Sequence, residues 1–150
     1  MRYSEFERII SAERMNRYVE ACGGNTRKAM TLYRYNLQLS QEMFTIISCF
    51  EVALRNGINA VLSNRLGEEW LKDTYFFNEL DKINTMRNRI AHHEPVCFYL
   101  QDTRIDTTHV LSIYLKMQRL FAWMGIDSHA LLYGLDHVQQ VCEKINELKE

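Results

Sequence analysis

The sequence predicts an all-α fold, a single-domain bundle of about five helices. Three observations predict it. The chain of 150 residues has one proline, Pro95, and proline inside a helix costs about 3 kcal/mol. Apolar residues recur at helical spacing along much of the chain. Glycines at Gly23-Gly24, Gly67 and Gly125 punctuate it where helices would stop. No long Ser/Gly/Pro-rich linker divides the chain, and its length suits one domain.

The first helix is expected from Ser4 to about Ala21, because Phe6, Ile9, Ile10 and Tyr18 fall near helical spacing. Gly23-Gly24 ends it. Asn25 or Thr26 caps a second stretch that runs to about Arg65 and ends at Gly67. Ser40 offers a cap for a second piece within it, and Gly57 weakens the helix without breaking it. Residues from Glu68 to Phe77 read as a turn or short helix plus loop, anchored by Trp70. Asn78 is the expected cap of the next helix, Glu79 to about His93. Pro95 disfavours helical geometry at Glu94 and ends it. Val96 to Arg104 reads as a loop in which VCFYL offers a short extended piece. Asp106 caps a helix through Met124, closed by Gly125, with Met117, Leu120, Phe121 and Met124 as its core face. Asp127 opens a last helical region that runs to the C-terminus, with Gly134 as a candidate break.

Composition narrows the function classes. Hydrophobic residues make up 47% and charged residues 25%, as in soluble proteins with a real core. Formal net charge is −1, so any nucleic-acid contact must come from a local patch. Cys22, Cys49, Cys97 and Cys142 are scattered without a CxxC pair, which fits free thiols in a reducing cytosol rather than zinc or redox chemistry. The N-terminus has mixed charge and no apolar core, unlike a signal peptide. The apolar run Met43 to Leu54 falls short of the roughly 20 residues that a membrane span needs. The expectation is a cytoplasmic protein with no membrane contact and no cofactor.

One segment concentrates chemistry: Arg87-Asn88-Arg89-Ile90-Ala91-His92-His93-Glu94-Pro95. Two arginines and two histidines crowd the end of a helix. On an ideal helix Arg89 and His93 share a face. Arg87 and His92 point roughly 140° apart, so one chain alone does not pair them compactly. A distorted last turn, or a second copy of the helix alongside, would bring them to one groove. Such groups suit cleavage of an RNA phosphodiester without metal. A base takes the proton of the ribose 2′-OH, that oxygen attacks phosphorus, and an acid protonates the leaving 5′-oxygen. Histidine, with an unperturbed pKa of about 6.5, serves both steps. Arginine grips the non-bridging oxygens. The plainer reading is that these charges complement the helix dipole and make surface pairs. Adjacent His92 and His93 project differently and lack the spacing of a zinc helix, so no metal site is expected.

Two further stretches matter. Glu51 interrupts the apolar run Phe50 to Leu54 and needs a partner. Arg55, four residues on, offers an intrahelical ion pair; the functional alternative is that Glu51 orients a catalytic arginine or histidine. In Thr31-Leu32-Tyr33-Arg34-Tyr35-Asn36 the tyrosines could stack on bases while Arg27, Lys28 and Arg34 meet phosphates. Core packing explains the tyrosines equally well. His109, His129 and His137 have no visible partners and read as structural or surface residues.

Arg87-Asn88 followed by His92 resembles the signature of the HEPN ribonucleases, an arginine and a histidine four to six residues apart with a polar residue after the arginine. The longer string RNRIAHHEP resembles the Abi-like branch, the proteins of bacterial abortive infection. Arg14 to Tyr18, Ala29 to Ser40, Phe50 to Asn56 and Gly67-x-x-Trp70-Leu71 fit in the same order, so the resemblance spans roughly residues 10–97. It implies a helical homodimer whose two Arg-x4-His helices face each other and form a metal-independent endoribonuclease of phage defence or toxin type. On this resemblance Arg87 and His92 carry catalysis, Asn88 supports them, and Glu51 is a polar partner. Arg89, Arg55 and Arg34 are the candidate RNA contacts. The chain departs from the pattern in two ways. His93 also satisfies the spacing from Arg87 and is an alternative to His92. Glu94 stands where related toxins have a tyrosine, so control by tyrosine modification is not implied. Abi-like proteins are also often longer. A non-catalytic HEPN module that binds nucleotide or RNA, and a helical interaction protein, stay open; no antitoxin is named.

Overall fold

The computed structural model describes residues 1–66, 74–99 and 102–149. The described residues are all-α: α1 (Tyr3–Ile10), α2 (Ala12–Ala21), α3 (Thr26–Leu66), α4 (Thr74–Ala91), α5 (Thr108–Trp123), α6 (Ser128–Leu131) and α7 (Val138–Asn146), closed by a 3-10 turn (Glu147–Lys149). The expected first helix is two helices. Ser11 takes φ 88°, kinks the chain and caps α2 by accepting from the Arg14 amide. Gly23 and Gly24 end α2 at φ 59° and 85°, a left-handed backbone that glycine adopts without a Cβ penalty.

α3 is the mast of the bundle. It runs 41 residues without a break at Ser40, a length of about 60 Å at the helical rise. α1, α2, α4, α5 and α7 all pack against it. The reason is its buried stripe: Ala29, Leu32, Tyr33, Leu39, Met43, Ile46, Ile47 and Phe50 recur three or four apart and are all buried. Tyr33 meets the rings of Phe6 and Tyr18 edge-on at 5.5 and 5.2 Å, and Tyr18 meets Phe98 at 5.1 Å. Phe50 meets Phe121 of α5 at 5.4 Å. Such pairs add about 0.5–1.5 kcal/mol beyond their burial.

The same stripe holds one polar residue, Asn36, which is buried. Its side-chain oxygen accepts from the Val96 and Cys97 amides at 2.8 and 3.1 Å. This clamp ties the segment after α4 to the mast. The described residues of the segment carry an antiparallel bridge between Phe98 and Ile105.

α4 begins at Thr74, four residues before the expected cap at Asn78, because Phe76 already belongs to its buried stripe with Glu79, Ile83, Met86 and Ile90. Asp106 caps the turn before α5, where its carboxylate accepts from the Thr108 amide at 2.8 Å. Gly134 (φ 72°) lies in the break between α6 and α7. The helix end expected at Gly67 and the start of the turn or short helix expected from Glu68, with Trp70 as its anchor, lie outside the described residues. Among the described residues no helix is long and apolar enough to cross a membrane, and all four cysteines are free.

Glu79 joins α4 to α5. It is 3% exposed. Lys82 donates to one of its carboxylate oxygens at 2.6 Å, and Lys116 of α5 donates to the other. Burial pushes the carboxyl up, but the hydrogen bonds from Lys116 and Lys82 outweigh it and hold the group below its ordinary value. A depressed folded-state pKa stabilises the fold at neutral pH, and that contribution is lost as pH falls through the lowered value. The melting temperature should therefore fall below pH about 4, where carboxylates protonate. Glu79→Gln should flatten that acid limb of the melting curve; an unchanged limb would remove Glu79 from the explanation.

Candidate functional site

The buried stripe of α4 leaves two flanks and a crest. One flank meets α3 and the other meets α5. Arg87 lies on the α3 flank, and Arg89 on the α5 flank. Asn84, Asn88, Ala91 and His92 are exposed and occupy the crest between the flanks by the helical period. The 3.6-residue period places the Arg87 and His92 directions roughly 140° apart with about 7.5 Å of rise between them.

Glu51 turns to Arg87. Its carboxylate lies 3.1 Å from the Arg87 Nε, across the seam between α3 and α4. The helix-internal pair with Arg55 is not among the ion pairs of the described residues, and Arg55 is exposed one turn further along α3. Both partners of the Arg87–Glu51 pair are nearly half exposed, at 45% and 46%. An exposed ion pair adds little stability, so its consequence is positional: it biases the guanidinium toward the α3 side of the crest. Glu51→Gln should leave the melting temperature within about 2 °C while lowering any Arg87-dependent rate. An equal rate in Glu51→Gln would count against the positioning.

The end of α4 is built by backbone geometry. The Glu94 amide donates to the Arg89 carbonyl at 2.9 Å and the His93 amide to the Ile90 carbonyl at 3.0 Å. This pair of bonds is a Schellman closure. It places His93 at φ 56°, the left-handed position that glycine normally fills. His92 is therefore the last residue before the chain reverses, and both histidines are exposed. Neither imidazole has a hydrogen bond or ion pair among the described residues. His93→Gly should stabilise the protein by about 0.5–1 kcal/mol by relieving the left-handed strain. A urea melt reads that gain, and the same variant separates the histidines: retained activity assigns the chemistry to His92, lost activity to His93.

Arg89 is committed elsewhere. Its Nη2 donates to the Pro95 carbonyl at 2.8 Å and its Nε lies 3.3 Å from the Glu94 carboxylate. Its side chain is mostly buried, at 17% exposure, and it locks the turn after α4. Burial, and then the nearby Arg89 charge, lower the pKa of His109 below the ordinary histidine value, which keeps that imidazole neutral near pH 7.

The tyrosine stretch divides by face. Tyr33 is core and cannot stack on a base, while Tyr35 is half-buried against the core. Arg34 is exposed, with its guanidinium 5.4 Å from the Phe6 ring centre. His137, without a visible partner in sequence, pairs with Glu42 of α3 at 3.3 Å. Sequence reasoning missed Asn36 and the Glu79–Lys116 pair. The i, i+3 spacing of Glu79 and Lys82 was a readable signal only for the other partner of Glu79. Among the described residues no group of three His, Cys, Asp or Glu is placed to hold a metal ion.

No protein-family model, curated protein or solved structure matches the chain.

Proposed function

We propose that the chain is a metal-independent endoribonuclease whose active centre forms where the α4 crests of two protomers meet. The Arg87–Glu51 pair at 3.1 Å, with an exposed His92 on the crest of the same helix, is the observation that carries it. One chain supplies an arginine held in place and a free imidazole that points away from it. A second, antiparallel copy of the crest supplies the missing partner. The crest favours close approach, because Asn84, Asn88 and Ala91 are small. On α3, Phe44 and Val52 stand 48% and 57% exposed and offer apolar area to a partner.

In this arrangement one His92 takes the proton of a ribose 2′-OH. That oxygen attacks the neighbouring phosphorus, and the bond to the 5′-oxygen breaks. The His92 of the second protomer protonates the leaving oxygen. The two Arg87 side chains hold the non-bridging oxygens as charge builds there. The products are a 2′,3′-cyclic phosphate and a 5′-hydroxyl. The resemblance of RNRIAHHEP to the Abi-like HEPN proteins supports this reading and suggests its setting, an RNA-cutting toxin in the bacterial cytoplasm during phage defence. Cleavage of mixed RNA by the purified protein in EDTA tests it. Cyclic or 3′-phosphate ends support it. Intact RNA rejects it in favour of an RNA-binding module, and cutting that needs a divalent ion rejects the metal-independent mechanism.

A further inference from the structure

We propose that the seam between α4 and α5 is a track for single-stranded RNA that feeds the proposed catalytic crest. This deepens the ribonuclease reading and rests on it.

The two helices run antiparallel here, since Tyr75 meets Trp123 and Glu79 meets Lys116. At one end the exposed Tyr75 and Trp123 rings stand 6.1 Å apart, tilted at 46°. Trp123 is 37% exposed and Tyr75 54%. Arg119 follows one turn along α5, beside both rings and Lys116 in one recess. A second, open recess lies on the outer face of α5, lined by Thr108, Leu111, Ser112 and Leu115, and meets the first at Lys116 and Arg119. At the far end Arg89 influences His109, one turn from His92. Tyr75 and Arg89, both on the α5 flank, are fourteen positions apart, about 21 Å along α4.

The charge of the seam selects its occupant. α5 carries Lys116 and Arg119 and no carboxylate in its 16 residues. Lys82 adds a third cation; Glu79 pairs with Lys82 and Lys116, and Arg119 completes a set whose net charge is positive, while Glu94 and Asp106 balance Arg89 at the far end. A chain of net charge −1 thus gathers positive charge beside the Tyr75 and Trp123 rings. Exposed aromatic rings next to arginine and lysine are the elements with which proteins hold unpaired bases and their phosphates. An acidic protein segment would use the cations but gain little from an open pair of rings.

The test uses the full chain with His92→Ala, so that the RNA stays whole, and a short fluorescent single-stranded RNA read by anisotropy. Arg119→Glu and Trp123→Ala, each added to that background, should weaken binding about tenfold or more. Arg119→Glu should also flatten the dependence of log affinity on log salt by roughly 0.7. Lys144→Glu on α7, an equal change in charge on another face, should leave binding unchanged. Circular dichroism checks each fold, and Tyr75→Ala replaces Trp123→Ala if that variant unfolds. Binding by the background protein that survives both seam variants overturns the track and spares the nuclease reading. Polyglutamate that competes as well as RNA, with no effect of the ring variants, overturns it in favour of an acidic protein. No RNA binding at all by the background protein rejects the ribonuclease reading itself.

Discussion

His92→Ala should slow RNA cleavage in EDTA by about 10²–10⁴-fold, the usual contribution of a positioned acid or base. Arg87→Ala should fall in the same range, because each centre loses two grips on the phosphate at once. Neither change should cost more than about 0.5 kcal/mol of stability. Both side chains are exposed, and the Arg87–Glu51 pair is a surface pair. The split between rate and stability is the diagnostic feature. If these residues only complement the dipole of α4, their removal would shift the melting curve slightly and leave the rate alone. Urea melts run beside initial rates on the same preparations distinguish the two. A rate within threefold of wild type for both variants would mean that the crest does no chemistry.

Asn36→Leu should be the most destabilising single change away from the apolar core, at about 2–4 kcal/mol. The buried Asn36 oxygen satisfies the amides of both Val96 and Cys97, and each buried donor left unpaired costs about 1–3 kcal/mol. The cost reaches the candidate site. Val96 and Cys97 follow directly on Pro95, whose carbonyl accepts from Arg89. Loosening the clamp should free the turn that presents His92 and His93. The expected result is a melting temperature lower by about 4–16 °C, with faster amide exchange at Val96 and Cys97. A melting temperature unchanged within a degree would show that the two amides find other partners.

The helical class was readable because it depends on local rules that the residues obey. Pro95 stands outside every helix, Gly23-Gly24 and Gly125 sit just past helix ends, and the core positions of α5 recur at helical spacing. Boundaries were harder where tertiary packing overrode local signals. Asn78 has the chemistry of a cap, yet the burial of Phe76 carries α4 a turn further back. Ser11 has no glycine or proline to announce a break, and only its capping bond to Arg14 explains one. The candidate site divides in the same way. Arg87, His92 and His93 are contiguous, so their pattern was visible. Glu51 was visible as a carboxylate in need of a partner, but the choice of Arg87 over Arg55 is made by the packing of α4 on α3. Asn36 was hidden because its two partners lie about sixty residues away, although its phase with Leu32, Leu39 and Met43 marked it as a polar residue at a core position.

The most direct measurement of the two-chain centre is a subunit-mixing titration. A fixed amount of wild-type protein is unfolded in urea and refolded with rising amounts of His92→Ala, and RNA cleavage is followed in EDTA. If each centre draws a histidine from both chains, activity per wild-type chain falls in proportion to the fraction of wild-type chains in the mixture. If activity per wild-type chain stays constant at every ratio, each protomer works alone and the composite centre is wrong.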